Sequence, residues 1–545
     1  MLSSITQYFS KFVSCEYSKR RLLLILISVA AVMLLVSIGP TDFNTKGEPR
    51  EAAVAHAMLS QGNWILPIDS AGDMSYKPPM FHWLIAIFSL IFGSLSEFSS
   101  RLPSALALVS VVAMTFCFFA SRNTKSRSLK PALLTALFTL TAFECYRAGT
   151  NCRVDMVLTA FMCGGMMSLC KALVEKRRWL YVVGALCLSG AALTKGPVGV
   201  LLPLAVFGIF GLIKGYKFFT VSGVALLVLV GSMILPSLYY YCAWTVGGEK
   251  FYQLAYEENI GRLLGTMTYD SHVKPWWYNI VMLVLGWLPW TLFLLVAGIW
   301  AWCKRKGCKG ADSASEKKSF WTKVRNMPPH RLFSLVAVVV IILFYMIPKS
   351  KRSVYLLPVY PFVAYWITLY VYWLVGRFGL KKKVVTGTMV AVCLLYPIAY
   401  GIGYPLVVNG KSDRHTAADI QRIIPVDSHI FTFIPDRFLR YYITDHYLGY
   451  KMKPLLPSGQ ISGDESVPDA NDIVMPTYDT FFVALSTNVW NGKREKLGLE
   501  SYDKKSDYGF HDWVRVHGLK VDSLYTSKNK THDVGGKLVL LKIRK

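Results

Sequence analysis

Charge is scarce in this chain. Charged side chains make up 17% of its 545 residues, hydrophobic types 53%, and the mean hydropathy is +0.37. A soluble multi-domain enzyme needs more surface charge than this, and a disordered chain needs fewer apolar residues, so both are excluded. Acidic residues are scarcer still, 33 against 60 Lys and Arg, for a formal net charge of +27. No basic–aromatic binding module accompanies that excess, which argues against nucleic acid as a partner. In a membrane protein basic residues collect in cytoplasmic loops, and that accounts for the charge. Cysteine offers no framework: none of the 11 falls after Cys393, no CxxC spacing occurs, and most sit in apolar runs as small hydrophobes. A cleavable signal is also lacking. Lys19, Arg20 and Arg21 precede an apolar run from Leu22 to Ile38 with no small-residue cleavage site behind it, the pattern of a signal anchor with its N-terminus inside.

What is present in abundance is the apolar block of roughly 17–25 residues that spans a ~30 Å hydrocarbon core. Beyond the first, such runs cover about 103–120, 131–146, 154–173, 179–194, 197–214, 218–242, 278–302, 332–348, 353–375 and 384–404, which predicts about eleven spans. Every second connector is basic: Arg122–Lys130, Lys171–Arg178, Lys214–Lys217, Lys304–Arg331 and Arg377–Lys383. The positive-inside rule assigns these five to the cytoplasm and leaves the tail from Gly403 outside. Pro78–Ser94 is apolar enough to span, but counting it would expose all five basic connectors. It reads instead as an interfacial helix with His82 and Trp83 at headgroup depth, making residues 40–102 one external loop.

The external connectors carry the polar chemistry. Glu48-Pro49-Arg50-Glu51 opens a helical stretch at Ala52–Leu59, with proline at the helix start. Tyr76-Lys77-Pro78-Pro79 puts a lysine before another proline-started helix, as does Thr194-Lys195-Gly196-Pro197 between two spans. A cation beside the positive end of a helix suits phosphate, although a capped helix with a snorkelling lysine gives the same pattern. Arg153-Val154-Asp155 sits at the outer end of a span, where an ionisable residue is costly unless paired or functional. A local Arg–Asp pair fixing the helix end is the plain alternative. Residues 243–277 bring Glu257, Glu258, Asn259, Arg262, His272 and Lys274. Lys349, Lys351 and Arg352, followed by Tyr355, form a basic cluster that breaks the positive-inside pattern and suits an anionic ligand. Cations that neutralise a leaving phosphate, next to carboxylates that orient or deprotonate a hydroxyl, fit group transfer from a lipid phosphate. Such groups are expected to meet in one outward-opening pocket.

At these residues the chain resembles the membrane-embedded GT-C glycosyltransferases, in particular the bacterial lipid A aminoarabinose transferase family, and more distantly the protein O-mannosyltransferases. The matching stretches are GEPREAAVAHAMLSQGNWILP (47–67), YKPPMFHWLIA (76–86), RLPSALA (101–107), CRVDMVLTAF (152–161), ALTKGPVG (192–199), EENIGR (257–262), HVKPWWY (272–278), GWLPW (286–290) and KSKRSVYLLPVYP (349–361). They follow the family order over residues 40–361. The resemblance implies a sugar donor on a polyprenyl (undecaprenyl) phosphate and a lipid A or other glycan acceptor at the outer face of a bacterial inner membrane. The implied catalytic carboxylates are Glu48 and Asp155. Lys77, Arg153, Lys195, Lys349, Lys351 and Arg352 would hold the donor phosphate. Arg50, Glu51, Glu257, Glu258, Asn259, Arg262, His272 and Tyr355 would line the substrate cavity. The family shows an Asp-Glu pair where this chain has Gly47-Glu48, and Asp42 and Glu51 are the acids available in its place. A divalent metal ion is compatible with this chemistry, but the sequence shows no obligatory ligand set.

The tail changes character. His429–Ile434, Thr480–Leu485 and Lys537–Ile543 read as strands, with helices at Thr416–Ile424 and Asp436–Asp445. The expectation is therefore a polytopic α-helical membrane protein of GT-C fold with about 11–13 transmembrane helices and external juxtamembrane helices over residues 1–404, plus an extracytoplasmic (periplasmic) α/β domain over 405–545. Transfer to protein hydroxyls is the enzymatic alternative. A lipid or sugar transporter would show polar residues at mid-membrane and repeated halves, and neither is visible.

Overall fold

The computed structural model describes residues 19–45, 47–70, 72, 74–75, 77–120, 129–261, 273–306, 320–433, 441–455, 473–491, 510–533 and 536–545. They fall into two compact units, the first built from Met1–Ile38, Lys77–Phe81 and Arg101–Ile402, the second from Gly39–Tyr76, His82–Ser100 and Gly403–Lys545.

The first unit is helical. Across the described residues seven helices are long and apolar enough to cross a membrane, eight when a bent pair is counted as one span, and four apolar helices are shorter. The expected count of about eleven thus splits into full-length spans and shorter pieces. Two expected spans are broken. Residues 131–146 divide into Lys130–Leu140 and Phe143–Thr150, and residues 278–302 into Tyr278–Gly286 and Trp290–Lys304, bent by 86°. Pro289 supplies no N–H, so the helix that ends at Gly286 cannot continue through it, and a new one starts at Trp290. The two breaks satisfy each other's exposed backbone: Phe143 N–H donates to the Leu288 carbonyl at 3.1 Å, and Trp290 Nε1 donates to the Thr141 carbonyl at 3.2 Å. Tyr396 adds its hydroxyl to Leu288 at 2.9 Å. Unwound backbone in an apolar setting requires such partners.

The helices Val154–Glu175 and Trp179–Lys195 form a tight hairpin. A Cβ on Gly165 would lie 2.4 Å from Leu188, and one on Gly184 2.8 Å from Leu169, so glycine is what lets the two backbones approach. The 218–242 run was expected to end in a loop. Instead the helix continues to Tyr256 and then as a wider π turn to Gly261, with one break at Gly248 (φ 57°).

Met80–Ile91 has 12 residues, a rise of about 18 Å, too short for a ~30 Å core. In the second unit, Ser412 accepts from Arg414 N–H and starts the Asp413–Ile423 helix three residues before the expected Thr416. The unit's sheet has order β2-β1-β3-β5-β4, with β1 Ile430–Thr432, β2 Met452–Pro454, β3 Thr480–Ser486, β4 Lys520–Thr526 and β5 Leu538–Arg544. β1 runs parallel to β2 and β3, while β5 is antiparallel to β3 and β4, with Val483 opposite Leu541. Alternation along β3 and β5 sends Phe481, Val483, Leu541 and Ile543 to a core around Trp513, and Phe482, Ala484, Leu538 and Leu540 to one around Ile420. Of the expected Asp436–Asp445 helix, residues 436–440 lie outside the described set, and the helix seen is Tyr442–Tyr447.

Candidate active site

Asp155 owes its place to the way its helix begins. Arg153 is extended (φ −145°, ψ 143°), so the helix opens at Val154 and carries the carboxylate in its first turn, where the positive helix end favours an anion. The returning helix ends at Lys195, whose Nζ donates to Asp155 Oδ1 at 2.5 Å. The Asp155 side chain is 9% exposed and that of Lys195 23%, so the acid is the more deeply buried partner and the lysine is only partly covered. Lys195 Nζ also lies 4.3 Å from the centre of the Tyr355 ring, which packs 5.5 Å from Tyr345. Arg153 and Lys77 are within electrostatic reach of the same carboxylate. This is a small cationic group organised around one buried acid.

Gly196 closes the site from the other direction. It sits at φ +84°, and a Cβ there would stand 2.2 Å from Asn259 Oδ1 and 3.5 Å from the Tyr240 hydroxyl. Asn259 is fixed by a 2.8 Å bond from its Nδ2 to the Ala255 carbonyl. The expected Thr194–Pro197 and Glu257–Asn259 elements therefore do meet, with Glu257 and Glu258 half-buried in the same π turn.

The Lys349–Arg352 cluster is less uniform than its sequence suggests. Lys349 is exposed, and its carbonyl accepts Lys274 N–H at 3.2 Å. Lys351 is buried and donates to the Pro348 carbonyl, and loss of water pulls its ammonium below the usual lysine range. Arg352 is half-buried and its carbonyl accepts Tyr355 N–H, fixing the turn that carries the Tyr355 ring. Arg262 and His272 lie outside the described residues.

The carboxylates of the first external loop belong to the second unit. The Gly47–Gln61 helix buries Glu48 and Glu51 in its first turns, at 2% and 4% exposure. Glu51 is bonded to Arg50 (3.2 Å) and to the buried His82 (2.8 Å). Asp42 is occupied otherwise: its Oδ1 pairs with Arg414 at 3.2 Å, and Arg414 also holds Glu97 at 2.8 Å. In the same unit Asp445 accepts from the Ser70 hydroxyl at 2.6 Å and from Met452 N–H at 2.8 Å, and Tyr442 donates to Asp69 at 2.9 Å. Burial pushes the Asp445 carboxyl up to about 7 despite those bonds.

One ion pair escaped the sequence reading. Arg147 grips Glu144 through Nε (2.9 Å) and Nη2 (2.6 Å), with Glu144 3% exposed. The signal was an acid and a base three apart inside a run otherwise apolar enough to span. For metal binding, no group of three or more His, Cys, Asp or Glu side chains converges among the described residues.

The sequence profile of the dolichyl-phosphate-mannose-protein mannosyltransferases matches residues 76–240. An uncharacterized protein of Aquifex aeolicus is 29% identical over 63% of this chain and 70% of its own length. The undecaprenyl phosphate-alpha-4-amino-4-deoxy-L-arabinose arabinosyl transferase of Shewanella sediminis is 26% identical over 62% of this chain and 69% of its own. Its namesake in Photorhabdus laumondii is also 26% identical, over 57% of this chain and 52% of its own length. Among solved structures, ArnT from Cupriavidus metallidurans bound to undecaprenyl phosphate superposes with a TM-score of 0.69, covering 95% of this chain and 97% of that one at 15% identity. That likeness gives the chain the GT-C fold, multi-pass helices with a small C-terminal sheet domain. Within that class the chain is similar to the aminoarabinose transferases, with the protein O-mannosyltransferases as relatives.

Proposed function

We propose that this protein moves a sugar, of the aminoarabinose type, from an undecaprenyl-phosphate carrier to lipid A or another envelope glycan at the extracytoplasmic face of a bacterial inner membrane. The observation that carries the reading is the Asp155–Lys195 pair, a buried acid bonded to a partly exposed lysine. A carboxylate already bonded to an ammonium is a poor base. Its role is to hold Lys195 toward the phosphate that departs when the sugar–phosphate bond breaks, with Lys77 and Arg153 adding positive charge. Lys349, Lys351 and Arg352 are assigned to the same phosphate by their match to the family motif, with Arg352 also setting Tyr355. Glu48 is assigned to the acceptor: its carboxylate takes the proton of the acceptor's hydroxyl or phosphate as that oxygen bonds to the sugar's anomeric carbon and undecaprenyl phosphate departs. Arg50, Glu51, Glu257, Glu258, Asn259, Arg262 and His272 are proposed to shape the sugar and acceptor subsites. The N-terminus is placed in the cytoplasm and the domain from 405 to 545 in the periplasm.

The test is transfer by the purified chain in proteoliposomes, offered undecaprenyl-phosphate aminoarabinose and lipid A, with mass spectrometry of the products. A lipid A carrying one added sugar is expected. A sugar found on a serine or threonine of co-reconstituted protein would replace this reading with O-glycosylation, which the profile match over residues 76–240 favours as the second option. No sugar on any acceptor would overturn both.

A further inference from the structure

We propose that Tyr450 is a positioning residue for the transfer reaction, locking the Gly47–Gln61 helix, and with it Glu48, through a stack on His56. The proposal rests on the reading of Glu48 given above, and it assigns the small C-terminal domain a part in catalysis.

The backbone gives the first indication. After the Tyr442–Tyr447 helix two successive residues, Gly449 (φ 73°) and Tyr450 (φ 60°), adopt the left-handed conformation. Glycine enters it freely, but for a side chain as large as tyrosine it is an outlier that persists only where the surroundings over-determine it. Those surroundings are visible. Tyr450 N–H donates to the Asp445 carbonyl at 2.8 Å, closing the turn. Its hydroxyl lies 2.9 Å from His446 Nδ1, and the His446 ring stands edge-on to Phe43 at 4.8 Å. Its ring stacks on His56 with centroids 4.0 Å apart and planes 19° from parallel.

His56 is the point of leverage. It lies on the helix that begins with Glu48 and Glu51, eight residues beyond Glu48, or about 12 Å along the axis. Four of the buried positions around them are alanine, Ala52, Ala53, Ala55 and Ala57, beside Val54 and Met58. Alanine permits close approach but resists rotation about the helix axis little, so the larger contacts set it. The Glu51–His82 bond holds the start of the helix and the Tyr450 ring on His56 holds its next turns, and a rotation of a few degrees there carries the Glu48 carboxylate with it. Displacements of that kind near a reacting group are costly in rate.

The test compares turnover by the full-length protein in proteoliposomes for Tyr450→Gly, Tyr450→Phe, His56→Ala and the Tyr450→Gly/His56→Ala double variant. Tyr450→Gly removes the ring while relieving the backbone, so the fold is retained and its thermal melting point should not fall. The expected result is a kcat lower by roughly tenfold with the donor KM changed less than about twofold. Tyr450→Phe keeps the stack and should recover most of the rate. The double variant should be no slower than the slower single one, because both remove the same contact. Tyr450→Gly turning over at the wild-type rate would overturn the proposal, as would independent, multiplying losses in the two single variants, or a loss of kcat that Tyr450→Phe fails to rescue. In each of those cases a normal wild-type rate leaves the transferase reading intact. A wild-type chain that transfers no sugar takes down both.

Discussion

Replacing Asp155 by asparagine separates two roles that a buried carboxylate can play. The substitution keeps the shape and one acceptor oxygen but removes the charge that holds Lys195 Nζ at 2.5 Å. A hydrogen bond to a charged group contributes about 1.5–3 kcal/mol, so losing its charge weakens the grip on the ammonium by roughly 10- to 150-fold. If Asp155 acts through Lys195, that loss falls largely on donor recognition and leaving-group stabilisation. Donor affinity, measured with a non-transferable undecaprenyl-phosphate analogue in nanodiscs, should drop together with kcat/KM. The pair variant Asp155→Asn/Lys195→Met should be little worse than Lys195→Met alone, since each removes the same interaction. Lys195→Met by itself is the harsher change, because it strands a carboxylate that is 9% exposed, at a cost of about 3–5 kcal/mol. The opposite pattern would refute the reasoning: unchanged donor binding with kcat down more than about a thousandfold makes Asp155 the base itself. Full activity in Asp155→Asn removes it from the chemistry.

Three further outcomes are expected. Glu48→Gln should abolish transfer while membrane insertion and donor binding persist; measurable turnover in that variant would end its assignment. Gly196→Ala forces a Cβ to within 2.2 Å of Asn259 Oδ1 at a φ of +84°. It should lower stability by about 1–2 kcal/mol and turnover with it, read as a drop in melting temperature and rate; an unperturbed melt would contradict the geometry. The Asp445 carboxyl, ordinarily at 3.8 and raised to about 7 in the fold, keeps a proton between those values that the unfolded chain has lost. Its contribution to stability is thus full below about 3.8 and is lost as pH rises through about 7. Protection factors over residues 441–455, with the base-catalysed rise of intrinsic exchange divided out, should be smaller at pH 8 than at pH 5.5, and Asp445→Asn should flatten the difference.

The apolar runs and the order of polar connectors made the class legible, because hydrocarbon thickness imposes a length on every span and charge asymmetry marks the loops. Lys195 and Asp155, 40 residues apart, were both singled out, but only the hairpin register brings them into contact. The break at Thr141-Ala142 was not legible, since nothing in that stretch of an apolar run marks it until Trp290 is seen bonded to it, whereas the other break carried its signal in Pro289. Residues 480–485 and 537–543 declared themselves as strands by their density of β-formers. The edge strands Met452–Pro454 and Lys520–Thr526 did not: one is three residues long and the other is mostly exposed and polar. Tyr450 was invisible for a different reason. Nothing in Leu448-Gly449-Tyr450 announces that a tyrosine follows the glycine into left-handed backbone.

The reciprocal repair of two broken helices also bears on how the chain is made. Thr141 receives its partner from Trp290, a residue synthesised 149 positions later, and the Leu288 carbonyl is met by Phe143. Each bend is thus finished by a residue of the other, and neither has its full set of partners until both segments have been made.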